Sequence, residues 1–134
     1  MNVLNISNFL ATSLLNQVFR NTNYARPTTV YVALYTSNPT AADTGAEVST
    51  GAYKRMAITL GAPVIENSKQ TIKNSADVAW SVATADWGLV SHIGIRDALT
   101  GGNLLYFGSL DTPRSILVND VFKLLTGSVV LTLS

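Results

Sequence analysis

The chain has 134 residues, of which 47% are hydrophobic and 13% are charged, so it can bury a core but offers few side chains for catalysis. It contains no cysteine, which excludes disulfides, thiolate zinc sites and cysteine nucleophiles. The formal charge of +1 comes from scattered basic residues, and without a basic stripe we expect no nucleic-acid binding. A chain of this length has material for one core, so residues 1–134 are predicted to form a single domain.

The N-terminal segment is predicted to form one amphipathic helix over about residues 5–20. Its apolar residues recur at helical spacing, and the stripe consists of Ile6, Phe9, Leu10, Leu14 and Val18. The segment lacks a basic start and is interrupted by polar residues, so it does not match a secretory signal. No run of about eighteen apolar residues occurs, and we expect no membrane span. Because a helix this short is marginal alone in water, the stripe must cover the β-domain or a neighbouring copy.

From residue 28 onward the chain has the alternation of β-strands, in a β-domain over about residues 28–134. Strands are predicted over residues 28–35, 53–60, 70–73, 76–82, 89–96, 104–110, 115–118, 121–125 and 128–133. A glycine-containing turn predicts a hairpin between 89–96 and 104–110, and the segment 111–113, which contains Pro113, is expected to turn the chain. The fold class is therefore predicted as mainly β, an antiparallel β-sandwich or small barrel of about eight short strands with one N-terminal amphipathic α-helix.

The sequence offers no convincing catalytic centre. His92 is the only histidine, and its neighbours in the predicted strand supply no second metal ligand, so a structural role is expected. No Gly-x-Ser-x-Gly motif is present, and most of the eight acidic residues lie in predicted loops or turns. We therefore predict that the chain is not an enzyme and has no catalytic residue, no metal site and no cofactor.

Residues outside the helix are also candidates for contacts with a partner. Asp43 and Glu47 lie in residues 40–51, which are predicted to be an exposed polar loop, and loops carry recognition in many scaffolds. Residues 63–74 are predicted to be a linker that can serve the same purpose. Trp87 is either partly exposed, where it could stack on a sugar, or buried at the end of the sandwich, and the core position is favoured.

Three parts of the chain carry a family resemblance. They are RPTTVYVALYTSNP (residues 26–39), GAYKR (51–55), and WGLVSHIGIRDA (87–98) followed by TGGNLLYFG (100–108). In this order and spacing they resemble a family of small virion proteins of tailed bacteriophages, which are often described as tail-fibre proteins. The resemblance extends over nearly the whole chain and implies a structural role without catalytic residues.

The resemblance, together with one compact domain and no fibrous repeat, favours a capsid cement or decoration protein on the outer face of the phage head. Such a protein is expected to bind the major capsid protein and neighbouring copies of itself, as an oligomer such as a trimer, and to stabilise the shell by its binding free energy. It would be made in the cytoplasm of the bacterial host. Two alternatives are a tail-fibre or tail-adaptor component that binds tail proteins, and a carbohydrate-binding head protein.

Overall fold

The structure is a computed structural model that describes residues 1–133, so Ser134, the last residue of the predicted domain, lies outside the described residues. Its elements in chain order are β1 (Asn2–Ile6), α1 (Asn8–Phe19), β2 (Val30–Tyr35), β3 (Met56–Ile58), β4 (Val64–Glu66), β5 (Lys69–Lys73), β6 (Val78–Ala79), β7 (Gly88–Arg96), β8 (Leu104–Ile116), β9 (Lys123–Leu124) and β10 (Val129–Leu133). Eight strands form one curled sheet, a half-barrel, in the order β3-β2-β7-β8-β1-β10-β5-β4. The predicted class, mainly β with one N-terminal helix, is confirmed.

The core is built on the central strands β2, β7 and β8, which pair antiparallel in the order β2-β7-β8. In β2 the last four residues are all buried, as their apolar side chains on both faces predict. The small sheet of β6 and β9 contributes Val78 and Leu124 to the same core. The rings of Trp80 and Phe122, beside these two strands, lie 5.3 Å apart. Val78 and Trp80 are both buried, with 3% of their surface exposed.

The first strand, β1, is not predicted from the sequence, and its last two residues, Asn5 and Ile6, fall in the predicted helix. Asn2–Ile6 instead pairs parallel with β10 and antiparallel with β8, so Ile6 ends a strand and the helix begins after it. Its side chains alternate in burial, with Leu4 fully buried and Val3 half exposed. The pairing partners lie about a hundred residues away, and no local pattern reveals them.

The predicted turn at residues 111–113 is also wrong, because β8 continues through it to Ile116. His92 pairs with Ser109 and Val90 pairs with Arg114, so several residues of β8 lie opposite Ser91 alone. This irregularity in the ladder is a bulge, and a bulge accommodates Pro113, which has no amide hydrogen to donate to a neighbouring strand.

The remaining differences concern strand length and the predicted linker. The strands predicted over residues 53–60 and 76–82 are present but shorter, as β3 and β6. The predicted linker of residues 63–74 contains β4 and β5, which form a hairpin whose turn residues Asn67 and Ser68 both have positive φ. Within residues 1–133, no helix is long and apolar enough to cross a membrane.

Candidate functional site

The eight predicted interface residues lie in four different environments rather than on one surface. Ile6, Leu14 and Val18 line a common apolar groove. Leu10 packs against the core, and Phe9 lies on another side of the helix against Tyr24, with the ring centroids 6.1 Å apart. The other three residues, Asp43, Glu47 and Trp87, are engaged in contacts within the chain.

The apolar groove lies between α1 and the ends of β1 and β10, and we call it the helix groove. It has a volume of about 410 Å³ and is lined by Ile6, Ala11, Leu14, Leu15, Val18, Phe19 and Leu133. Leu15, Val18 and Phe19 are 59%, 65% and 78% exposed, and no residue of α1 is buried. None of the twelve residues of α1 carries a charge. Surface helices of monomeric proteins normally present charged or polar residues to water, so this face has the character of an interface.

Ser7 fixes α1 to the sheet. Its hydroxyl caps the helix by accepting from the Leu10 amide at 3.2 Å, and it donates to the Leu104 carbonyl at 2.6 Å. The Ser7 amide donates to the Leu105 carbonyl at 2.9 Å. The helix is therefore held at the start of β8 by the backbone around Ser7 and by Leu10, while Leu15, Val18 and Phe19 are left free for other contacts.

The loop of residues 40–51, predicted to be free and exposed, is fixed to the sheet by two arginines. Arg96, at the end of β7, donates to both carboxylate oxygens of Asp43 at 2.8 and 3.0 Å and to the Tyr35 hydroxyl at 3.0 Å. Burial opposes the charge of Arg96, but the hydrogen bonds to Asp43 and Tyr35 outweigh it and raise the pKa of the guanidinium. Asp43 is thus a structural ligand of a buried cation.

Glu47 neutralises the buried guanidinium group of Arg55 in the same way. Its carboxylate accepts from Arg55 at 2.8 and 2.9 Å and from the Tyr53 hydroxyl at 2.5 Å. Burial works against ionisation of Glu47, but the hydrogen bonds from Arg55 and Tyr53 are stronger in sum and lower its pKa. Burial and the bond to Glu47 raise the pKa of Tyr53. Asp43 and Glu47 both stabilise the loop that carries them, and a contact of either residue with a partner stays a prediction.

Trp87 is buried, with 4% of its surface exposed. Its indole nitrogen donates to the Gly51 carbonyl at 2.9 Å, and its ring packs edge-on against Tyr53 at 5.5 Å. The core position weighed for Trp87 is confirmed, and the buried ring offers little surface to a partner of the folded chain. The carbohydrate-binding alternative requires an exposed Trp87 ring on which a sugar could stack, and the structure does not provide one.

His92 lies in β7 between Tyr35 and Ser109 of the neighbouring strands. Its Nδ1 is 2.7 Å from the Ser91 hydroxyl, and partial burial lowers its pKa. Among residues 1–133 there is no group of three or more His, Cys, Asp or Glu side chains arranged to hold a metal ion.

A second exposed apolar surface, which sequence reasoning missed, lies at the far end of β8. Leu117, Val118, Val121 and Val82 are each about half exposed, and we call this group the tip surface. The turn beside it is hydrogen-bonded: the Asp120 carboxylate accepts from the Leu117 amide at 2.9 Å, and Asn119 adopts φ +74°. The turn at residues 119 and 120 was predicted, but exposure of the apolar residues beside it depends on what packs there, which sequence periodicity does not reveal.

Comparison with known proteins identifies the family. No curated protein matches the chain significantly. A family model described as "Podophage GP4 fiber I protein gp80" matches residues 5–132, which is nearly the whole chain. The match includes the buried arginine pairs, the tip surface and every residue of the helix groove except Leu133. The chain therefore belongs to the podophage GP4 fiber I protein gp80 family.

Proposed function

We propose that the chain is a structural part of a podophage fibre and joins neighbouring virion proteins through the helix groove. The observation that carries this proposal is a charge-free helix with Leu15, Val18 and Phe19 largely exposed on a well-anchored scaffold. Burial of such side chains contributes about 1.5–3 kcal/mol each, so the groove can supply binding free energy through apolar contact alone. The family description supports a fibre position.

The proposal concerns a globular part of the fibre rather than its shaft. The described fold is a curled sheet of short strands without the extended repeat from which shafts are built. A compact module of this kind suits an attachment point or a joint. No hydrolase or transferase activity is proposed, because the acids Asp43 and Glu47 neutralise buried arginines and are not free for acid–base chemistry.

The second candidate function is capsid cement on the head exterior, with the major capsid protein as partner. The observation that favours it is the same compact, repeat-free fold with an apolar binding surface. In that role the protein would add its association free energy to the shell and raise the resistance of heads to heat.

Immunogold electron microscopy of intact virions, with antibodies raised against the full chain, tests the proposal. We expect gold along or at the base of the fibres. Label confined to the head surface supports the cement function, and heads lacking the protein should then be inactivated at lower temperature than complete heads. Virions without any label, in a preparation where a fibre antibody binds normally, would contradict both functions.

A further inference from the structure

We propose that the chain binds a neutral sugar in a polar cleft beside α1. The polar cleft has a volume of about 340 Å³ and lies between α1, the segment that follows it and the turn of the β7–β8 hairpin. Ligand pockets measure about 300–1,000 Å³, so this volume suits a single sugar ring. The lining residues that carry the proposal are Phe9, Ser13, Asn16, Tyr24, Asp97 and Asn103.

The polar cleft and the helix groove lie on different faces of the same helix. Phe9, Ser13 and Asn16 line the cleft and are spaced four and three residues apart, which places them on one face of α1. Leu14 and Val18 line the groove on the other side. The two sites share no lining residue, so sugar binding would be a further function, separate from the assembly contact proposed above.

Hydrogen bonds within the chain hold the walls of the polar cleft. The Tyr24 amide donates to the Gln17 Oε1 at 2.6 Å, which ties the segment after α1 to the helix. In the hairpin turn the Asn103 amide donates to the Asp97 carboxylate at 2.7 Å. A ligand therefore enters a cleft that is already formed, and little conformational entropy is lost when it binds.

The two walls offer opposite hydrogen-bonding groups. On the helix wall, Asn16 Oδ1 accepts from Arg20 at 3.1 Å, so the Asn16 Nδ2 remains to donate, and the Ser13 hydroxyl can donate as well. On the hairpin wall, Asn103 Nδ2 donates to Asp97 at 3.2 Å, so the Asn103 Oδ1 remains to accept. The Asp97 carboxylate, with room for about four hydrogen bonds, also accepts.

This arrangement selects the class of ligand. A sugar hydroxyl both accepts and donates, so neighbouring hydroxyls can accept from the helix wall and donate to the hairpin wall. Among residues 1–133 no ion pair neutralises Asp97, so its charge repels an anion and strengthens a hydrogen bond from a hydroxyl. An ammonium group donates only, and it would leave the Asn16 amide without an acceptor.

The polar cleft also has an apolar wall for the carbon face of a sugar. The Phe9 ring is 38% exposed and packs edge-on against Tyr24, with the centroids 6.1 Å apart and the planes at 67°. Aromatic rings offer a flat apolar surface beside polar groups, which matches the C–H face and the hydroxyl rim of a hexopyranose. The buried Trp87 takes no part in this site.

The test titrates the full chain, labelled with ¹⁵N, with the methyl glycosides of glucose, galactose and mannose and follows the amide signals by NMR. Inorganic phosphate and choline are the anionic and cationic comparison ligands. A ligand of about a dozen non-hydrogen atoms binds in roughly the millimolar range, so the titration extends to roughly 50 mM.

The decisive variant is N16D, which has the same shape and can still accept from Arg20 but replaces the donating amide by an acceptor. The matched control is N8D, the same change at an exposed residue of the same helix outside the cleft. The second variant, S13A, removes one donor and places a strong helix former in α1, so it keeps the fold. Dispersed amide signals verify folding of each variant.

We expect at least one glycoside to shift the amide signals of Ser13, Asn16, Asp97 and Asn103. Its affinity should fall about tenfold or more in N16D and roughly two- to tenfold in S13A, and N8D should bind like the wild type. Absence of shifts with all three glycosides, binding of phosphate or choline alone, or wild-type affinity in folded N16D overturns the sugar site. Because binding is measured on the isolated chain, its failure leaves the proposed contact through the helix groove standing.

Discussion

Two buried guanidinium groups determine the conformation of the long loop between β2 and β3. Arg55 and Arg96 are each 7% exposed, and each is neutralised by one acid of that loop. A buried charge is costly unless it is paired and hydrogen-bonded, so these acids are required by the fold. Arg55 additionally donates to the Ala98 and Gly101 carbonyls at 2.8 Å, which ties the β7–β8 hairpin to the same loop.

Replacing Glu47 by glutamine should lower the free energy of unfolding at pH 7 by about 1–3 kcal/mol, because Arg55 loses a charged acceptor. The folded state lowers the pKa of Glu47, so its contribution is present above the unfolded pKa of about 4.3 and is lost as pH falls through the folded pKa. Urea unfolding from pH 7 to pH 3 should therefore show the wild type and E47Q converging in acid.

The control for this prediction is E66Q. Glu66 forms an ion pair with Lys73 at 3.0 Å on the surface, where such pairs contribute about 0–1 kcal/mol. A stability difference between E47Q and the wild type that stays constant from pH 7 to pH 3 would show that the charge of Glu47 is irrelevant to folding.

At the scale of elements, the sequence predicted what depends on local pattern. The strands β2, β5, β7 and β10 and the turn at Asn119 follow from alternation and turn chemistry, and the structure contains them close to the predicted bounds. The strand β1 and the continuation of β8 through Pro113 depend on pairing between distant segments. The position at which Ser7 anchors α1 likewise determines which part of the helical stripe faces water. Phe19 is exposed for that reason, and the predicted interface did not include it.

The contact of β1 with β8 can be tested at Gly108. A Cβ placed there would lie 2.7 Å from the Val3 carbonyl oxygen and 3.2 Å from the Leu4 Cα, so the backbone of β1 would have to move. We expect G108A to lower the free energy of unfolding by about 1–3 kcal/mol. The measurement is urea unfolding followed by tryptophan fluorescence.

The matched control is G61A. Gly61 is exposed, and the nearest atom to a Cβ there is the Lys73 carbonyl oxygen at 3.7 Å, so its effect should stay within about 0.5 kcal/mol. Equal stability of G108A and G61A would mean that β1 does not pack against β8 as described.

At the scale of the whole molecule, the fold is a half-barrel with the helix groove beside the start of β8 and the tip surface beyond its end. Its class and its virion family were both predictable from sequence, the latter through blocks of residues that fall mainly on the paired core strands and their turns. The position of the assembly surfaces was predictable only in part. Exposure is a property of the finished packing, and the signal in the sequence that pointed to it was the apolar stripe at helical spacing, three of whose residues, Ile6, Leu14 and Val18, line the helix groove.

The central claim is that the helix groove incorporates the protein into the virion. Its most direct test counts the copies of the protein in purified virions by quantitative mass spectrometry. The virions come from a phage that lacks the gene and is supplied with the wild-type protein, with L15K/F19K, or with I65K as a control on the exposed edge strand β4. Each apolar side chain buried in the contact contributes about 1.5–3 kcal/mol, and 1.4 kcal/mol is a tenfold change in binding. We predict wild-type copy numbers for I65K and a loss of about tenfold or more for L15K/F19K. Incorporation of a folded L15K/F19K at the wild-type level would contradict the claim.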